Sequence, residues 1–213
     1  MTGHEEDRLR ILVCDDHALF RRAVVTALED AGLDVVAEAD TGRTAVEQAL
    51  EHAPDVVVMD LRMPDGDGAS ATEEITTRRP WTRILVLTVS DDLDEISGAI
   101  CAGAIGHLRK EEAMQVLPDV IADVMAGGVH LGRALLRRIG HELGRLTDPY
   151  AAAANPAAWR PTEAHLRLVG ALADGASLEE AAASAGIPAE AARTELRAAI
   201  EGLHRSLRSG SAA

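Results

Sequence analysis

Aromatic side chains make up only 2% of this 213-residue chain, with Phe20, Trp81, Tyr150 and Trp159 the whole set. A core built without them must be aliphatic and alanine-rich, and a hydrophobic content of 47% is enough to build one. Cysteine is as sparse. Cys14 and Cys101 are too far apart in sequence for a paired metal or redox motif, and both sit in apolar segments, as expected of a reducing cytoplasm. No stretch approaches the roughly 20 apolar residues of a membrane helix, so no membrane partner is expected. The opening MTGHEEDR is polar and acidic, unlike a secretory signal. No G-x-G-x-x-G or G-x-x-x-x-G-K-[ST] opens a helix, which leaves dinucleotide and P-loop sites without support.

Positive charge is also scarce. The formal net charge is −14, which argues against nonspecific nucleic-acid affinity of the chain as a whole. The deficit is uneven: from Trp159 onward six Arg face seven acids, so nearly all of the acidity lies ahead of that point. The two parts therefore need separate readings.

What is present in the first part is alternation. Apolar runs at 10–14, 33–39, 55–59, 83–89 and 104–108 read as strands. Helical spacing at 17–31, 42–53, 69–79, 92–102 and 111–126 fills the gaps between them. Five such units predict an α/β, flavodoxin-like (βα)5 domain with a parallel sheet, whose switch point lies between the first and third strands. Ligands in such sheets bind beyond the carboxyl ends of the strands. Those ends present Asp15 and Asp16, Asp60, Thr88, and His107 to Lys110. Taken singly, each has a plain reading: a turn aspartate, a strand threonine, a solvated lysine. Together they place three carboxylates, a hydroxyl and an ammonium on one edge. Three carboxylates repel unless a cation sits among them, and an all-oxygen site suits Mg2+. The set reads as a phosphoryl-acceptor site in which Asp60 is the nucleophile and Lys110 and Thr88 hold the transferred group.

DD at 15–16, DLRMP at 60–64, LTVS at 87–90 and the stretch 106–110 resemble the receiver domain of two-component response regulators over about residues 8–128. The resemblance implies that Asp60 takes a phosphoryl group from a sensor histidine kinase. It implies that Asp16, Asp60 and the backbone carbonyl of Arg62 hold Mg2+ with help from Asp15, and that Thr88 and Lys110 are the switch hydroxyl and the phosphate-pairing lysine. Two departures stand out. His107 replaces the family's usual switch aromatic, and is either its substitute, a pH-sensitive variant of it, or a half-exposed strand-end residue. Asp65 adds a negative charge where the loop usually has glycine. Cys14, just ahead of the acidic pair, reads as buried rather than redox-active.

Residues 129–158 read as an amphipathic connector helix followed by a proline-containing linker. Residues 159–213 read as a small all-α helix-turn-helix domain: helices at 162–173 and 178–185, a Gly186-Ile187-Pro188 turn, and a third helix at 189–203 before a Ser/Gly/Ala tail. This part resembles the DNA-binding output domain of LuxR/NarL-type regulators, in a degenerate form, with no fourth helix expected. The resemblance puts the third helix in the major groove, with Arg193, Thr194 and Arg197 as the DNA-contacting candidates. Glu179, Glu190 and Glu195 stand where that surface is commonly basic or neutral, which weakens the phosphate attraction. Ala181 and Ala192 fill core positions that larger residues usually take, so the unit is expected to be marginal alone.

Two functions follow as expectations. In the first the chain is a cytoplasmic response regulator, a homodimer or a heterodimer with another regulator, that controls transcription through DNA and has no enzyme activity beyond its own aspartyl phosphate. In the second the receiver is the same, but the helical module binds a protein with little or no DNA binding of its own.

Overall fold

A computed structural model describes residues 8–64, 66–147 and 159–210, of which residues 66, 67 and 207–210 in backbone only. Asp65 and the linker at 148–158 lie outside the described residues. Two compact units divide between Met125 and Ala126.

The first unit is a parallel sheet between helices. Its strands β1 (Arg10–Cys14), β2 (Asp34–Ala39), β3 (Val56–Met59), β6 (Arg83–Thr88) and β7 (Gly106–Arg109) lie in the order β2-β1-β3-β6-β7. A two-residue antiparallel pair, β4 (Arg62–Met63) and β5 (Gly66–Asp67), forms in the loop that follows β3. The order reverses between β1 and β3, which is the switch point expected. The unbroken apolar runs exist because β1 and β3 are covered on both faces: Ile11, Leu12, Val56, Val57 and Met59 are fully buried. Helices α1 (Ala18–Asp30) and α5 (Lys110–Met125) pack together, and α2 (Gly42–His52), α3 (Gly68–Arg78) and α4 (Leu93–Ala102) pack in series.

The boundaries shift where side chains intervene. The strand expected to reach Val89 stops at Thr88, because the Thr88 hydroxyl accepts the Ser90 N–H at 3.1 Å and turns the chain, leaving Val89 exposed. The last strand starts at Gly106 rather than Ala104, where its register with Leu85 begins, and runs directly into α5 at Lys110.

The second unit is all helical. α6 (Arg133–Arg145), α7 (Glu163–Asp174), α8 (Leu178–Ala185) and α9 (Ala192–Gly210) form it, with a single 3-10 turn at Ala189–Ala191 ahead of α9. The segment read as a connector has its helix inside this unit: α6 packs on α7 and buries Leu135, Leu136, Ile139 and Leu143. Those side chains add the bulk that α8 and α9 lack, since Ala181, Ala182, Ala192 and Ala199 are buried alanines. The Ser177 hydroxyl caps α8 by accepting the Glu180 N–H, and Glu180 reciprocates at the Ser177 N–H, as the capping box predicts.

The third helix departs most from expectation. A 3-10 turn precedes it, and it continues to Gly210 instead of fraying after Leu203. Trp159 is the reason. Its indole lies against Gly202 so closely that a Cβ there would come within 2.2 Å of it, and its carbonyl accepts the Ser206 hydroxyl at 2.9 Å. These contacts hold turns that composition alone marks as a tail. No separate helix follows α9 among the described residues.

Candidate functional site

The site is built where β1, β3, β6 and β7 end. Asp60 follows β3, its backbone N–H still bonded to the Cys14 carbonyl at 2.9 Å. Gly68, at the start of α3, lets the chain return over it: a Cβ at Gly68 would lie 2.1 Å from the Asp60 carbonyl oxygen. Lys110 reaches in from the end of β7. Its Nζ donates to Asp60 Oδ2 at 2.6 Å and forms an ion pair with Asp15 Oδ2 at the same distance. Phe20 of α1 lies beneath the ammonium, 4.9 Å from it. All three charged side chains are almost completely buried.

Burial and pairing pull these groups in opposite directions. Burial raises the Asp60 pKa, and the Lys110 hydrogen bond, its charge and the Arg62 N–H only partly offset it. For Lys110, burial alone would lower the pKa, but Asp15 and Asp60 together outweigh it and the net shift is upward. The ammonium is therefore firmly charged between two carboxylates. Two carboxylates against one cation leave a negative excess, which is the electrostatic condition for a divalent ion. Among the described residues, Asp15, Asp16 and His17 bring ligand atoms together at metal-site spacing. Asp60 lies outside that trio; its Oδ2 faces Lys110 and its Oδ1 accepts the Arg62 N–H at 3.2 Å.

A polar network runs outward from Asp60. The Arg62 guanidinium grips the Glu95 carboxylate through Nε and Nη2, at 3.1 and 2.9 Å, and Nη2 also donates to Ser90 Oγ at 3.1 Å. Ser90 in turn donates its N–H to Thr88, which is fully buried. The loop after the acceptor and the loop carrying the hydroxyl are thus tied to one another and to α4. Hydrogen bonding to Arg62 keeps the Glu95 carboxyl below its usual range. His107 is half-buried, on β7 opposite Val86. Cys14 is buried, and burial pushes its thiol far up, which fits a core residue and not a sensor.

Asp15, Asp60 and Lys110 are therefore in contact, and Arg62, Ser90 and Thr88 are linked to them. The sequence reading passed over Gly68, Phe20, Glu95 and the side chains of Arg62 and Ser90. Phe20 fits an apolar helical stripe, and Glu95 is one of several acids near the start of α4, so neither stands out. Lys110 carries a compositional signal of its own: it is the chain's only lysine, among many arginines.

In the helical unit the three DNA candidates separate. Arg193 and Thr194 are exposed on α9, but the Arg197 side chain is only 14% exposed and its Nε is held by Glu201 at 3.0 Å. Glu195 turns to His165, whose Nε2 lies 3.0 Å from it. The Thr162 N–H donates to His165 Nδ1, which places the ring proton of the neutral form on Nε2, toward Glu195. Arg133 lies against Gly175 at the C-terminal end of α7.

The response regulator receiver domain matches residues 11–122. The chain is 33% identical over 145 residues to the transcriptional regulatory protein DegU of Brevibacillus brevis, covering 67% of this chain and 61% of that protein. It is 32% identical over 152 residues to a protein of Mycobacterium tuberculosis described as a probable transcriptional regulatory protein, NarL, covering 71% of this chain and 70% of that one. Among solved structures, a LuxR-family two-component response regulator from Aurantimonas is similar, with 31% identity and a TM-score of 0.57. That likeness covers 64% of this chain and 98% of that one.

Proposed function

The chain belongs to the response regulator receiver domain family, and on that premise we propose that it is a two-component response regulator of the LuxR/NarL type, phosphorylated on Asp60 by a sensor histidine kinase and controlling transcription. One observation carries the reading: a buried ammonium, Lys110, lies 2.6 Å from both Asp60 and Asp15 at the carboxyl edge of the sheet. A buried cation held against the acceptor is ready to pair with an anionic group bound there.

The Asp60 carboxylate attacks the phosphorus of the donor phosphohistidine. The donor P–N bond breaks, and the phosphoryl group remains on Asp60 as an acyl phosphate. Lys110 transfers its pairing from the Asp60 carboxylate to the phosphoryl oxygens. The Thr88 hydroxyl donates to a phosphoryl oxygen, which pulls on Ser90 and through it on the Arg62–Glu95 pair. This is how occupancy of the site is read out toward α4. The donor set fits Mg2+: Asp15, Asp16, Asp60 and the Arg62 carbonyl would hold it, and when bound it supplies neutralisation of the phosphoryl charge. His107, on the neighbouring strand, is the candidate for the inward-swinging ring.

In this reading residues 1–128 are the cytoplasmic receiver, residues 129–158 supply α6 and the linker, and residues 159–213 are the output domain. Arg193 and Thr194 face DNA, in a homodimer or with another regulator, and the chain turns over no external substrate. The test is labelling by a small-molecule phosphodonor in Mg2+: wild type takes label and Asp60→Asn takes none. Equal labelling of the variant sinks the assignment.

A second reading is favoured by Arg197, whose pairing with Glu201 withdraws one of the DNA candidates, and by Glu190, exposed on the 3-10 turn just ahead of α9. Here the helical unit binds a protein instead of DNA. Binding of the phosphorylated full chain to DNA fragments at low and high salt separates the two. Salt-sensitive binding supports the DNA reading, and no binding at low salt supports the protein one.

A further inference from the structure

Beside the acidic pair stands a side chain that phosphoryl transfer does not use. His17 occupies the N-cap position of α1, yet its ring makes no capping bond. Nδ1 instead lies 2.8 Å from Asp16 Oδ1 and 3.9 Å from Asp15 Oδ1. One ligand atom from each of Asp15, Asp16 and His17 lies within 4.8 Å of the other two. Around a six-coordinate dication with bonds of about 2.1 Å, adjacent donors sit about 3 Å apart and opposite donors about 4.2 Å. The two observed spacings are close to an edge and a diagonal of that figure. The His17 N–H donates to Asp15 Oδ1 at 2.9 Å, which fixes the turn that brings the three residues together. The Asp15 carboxylate is buried, while the His17 ring is 75% exposed, so water has room to complete the coordination.

Chemistry decides what such a set prefers. Magnesium takes oxygen and gains little from an imidazole, whereas first-row transition dications bind imidazole nitrogen well. We infer that His17 is a metal ligand that sets the cation preference of the acidic site, which takes a divalent transition-metal ion through one imidazole nitrogen and two carboxylates more tightly than it takes Mg2+. The inference rests on the reading that Asp15 and Asp16 hold a divalent cation. It goes beyond that reading by giving the loop after β1 a nitrogen donor and the site a ranking of ions.

Mn2+ and the full-length chain provide the test, with phosphorylation left out. The paramagnetic signal of free Mn2+ gives its affinity, Mg2+ competition gives the ratio, and electron spin-echo modulation reports any nitrogen bound directly to the ion. The expected result is nitrogen modulation in the wild type that disappears in His17→Ala. Mn2+ affinity then falls about tenfold while Mg2+ affinity changes by about twofold or less. His17→Ala removes no capping bond, and circular dichroism checks that α1 is intact. Bound Mn2+ without nitrogen modulation in the wild type, or equal Mn2+ affinity in the variant, reduces the His17–Asp16 contact to a hydrogen bond and overturns the inference. Absence of Mn2+ binding to the wild type overturns the cation site itself, which is a separate failure.

Discussion

The two units bury polar groups for opposite purposes. In the sheet unit, Asp15, Asp60, Thr88, Ser90 and Lys110 are buried at strand ends, where two carboxylates share one ammonium and the balance is left incomplete. In the helical unit, two buried polar side chains complete their surroundings: His165 joins the Thr162 cap to Glu195, and Ser206 ties α9 to Trp159. A charge imbalance held in a low-dielectric pocket is poised for a ligand. A satisfied polar contact is architecture. The contrast separates a charge imbalance at the strand ends from paired contacts that hold helices together.

The largest effect should come from taking away the shared ammonium. Lys110→Met leaves Asp15 and Asp60 facing each other, and the rate of Asp60 labelling should drop about 10²-fold or more. The variant should also lose about 3 kcal/mol of stability in the sheet unit, read by denaturant unfolding. Labelling within about threefold of wild type would mean that the imbalance is structural, and the contrast with the helical unit would collapse.

Next in size is a substitution confined to the other unit. Gly202→Ala drives a methyl into the Trp159 indole and should destabilise the helices by about 2 kcal/mol. Asp60 labelling should be unchanged. Calorimetry and labelling on the same sample check both halves, and a parallel loss of labelling would show that the two interiors are not independent.

The smallest effect concerns pH. Asp60 has a raised pKa in the fold, chiefly through burial, so the folded chain keeps this proton to higher pH than the unfolded chain does. Its contribution to stability is full below the ordinary carboxylate value and is lost as pH rises through the raised value. Without metal at neutral pH, Asp60→Asn should therefore melt a few degrees above wild type. The difference should shrink as pH falls toward the ordinary carboxylate value, as followed by Tm. A variant that melts lower at neutral pH would reverse the sign assigned to this carboxylate.

Much of the sheet unit was legible because its periodicities are strong. Val56–Met59 is apolar at every position, and Asp60 breaks the run at the place where a parallel sheet puts its ligands. The strand-end residues could be collected without coordinates, since topology gathers them on one edge. What stayed hidden was contact made by ordinary-looking residues: Phe20 under Lys110, Glu95 on Arg62, Gly68 against the Asp60 carbonyl. The helical unit was less legible. The start of α8 at Ser177, with Glu180 three residues on, was readable as local chemistry, but the Thr162–His165 cap and the extent of α9 were not, the latter because Trp159 lies far back in the chain from the turns it holds.

The sequence by itself determined the alternation of strands and helices, the Ser177 cap, and which side chains stand at the carboxyl ends of the strands. These follow from periods and spacings within a few residues. The tertiary structure alone decided that Lys110 pairs with Asp60 and Asp15 together, that Arg197 is held by Glu201 half-buried, and that α6 belongs with the C-terminal helices. Those outcomes depend on where distant segments meet and how far each charge is withdrawn from water, and no local pattern carries that information.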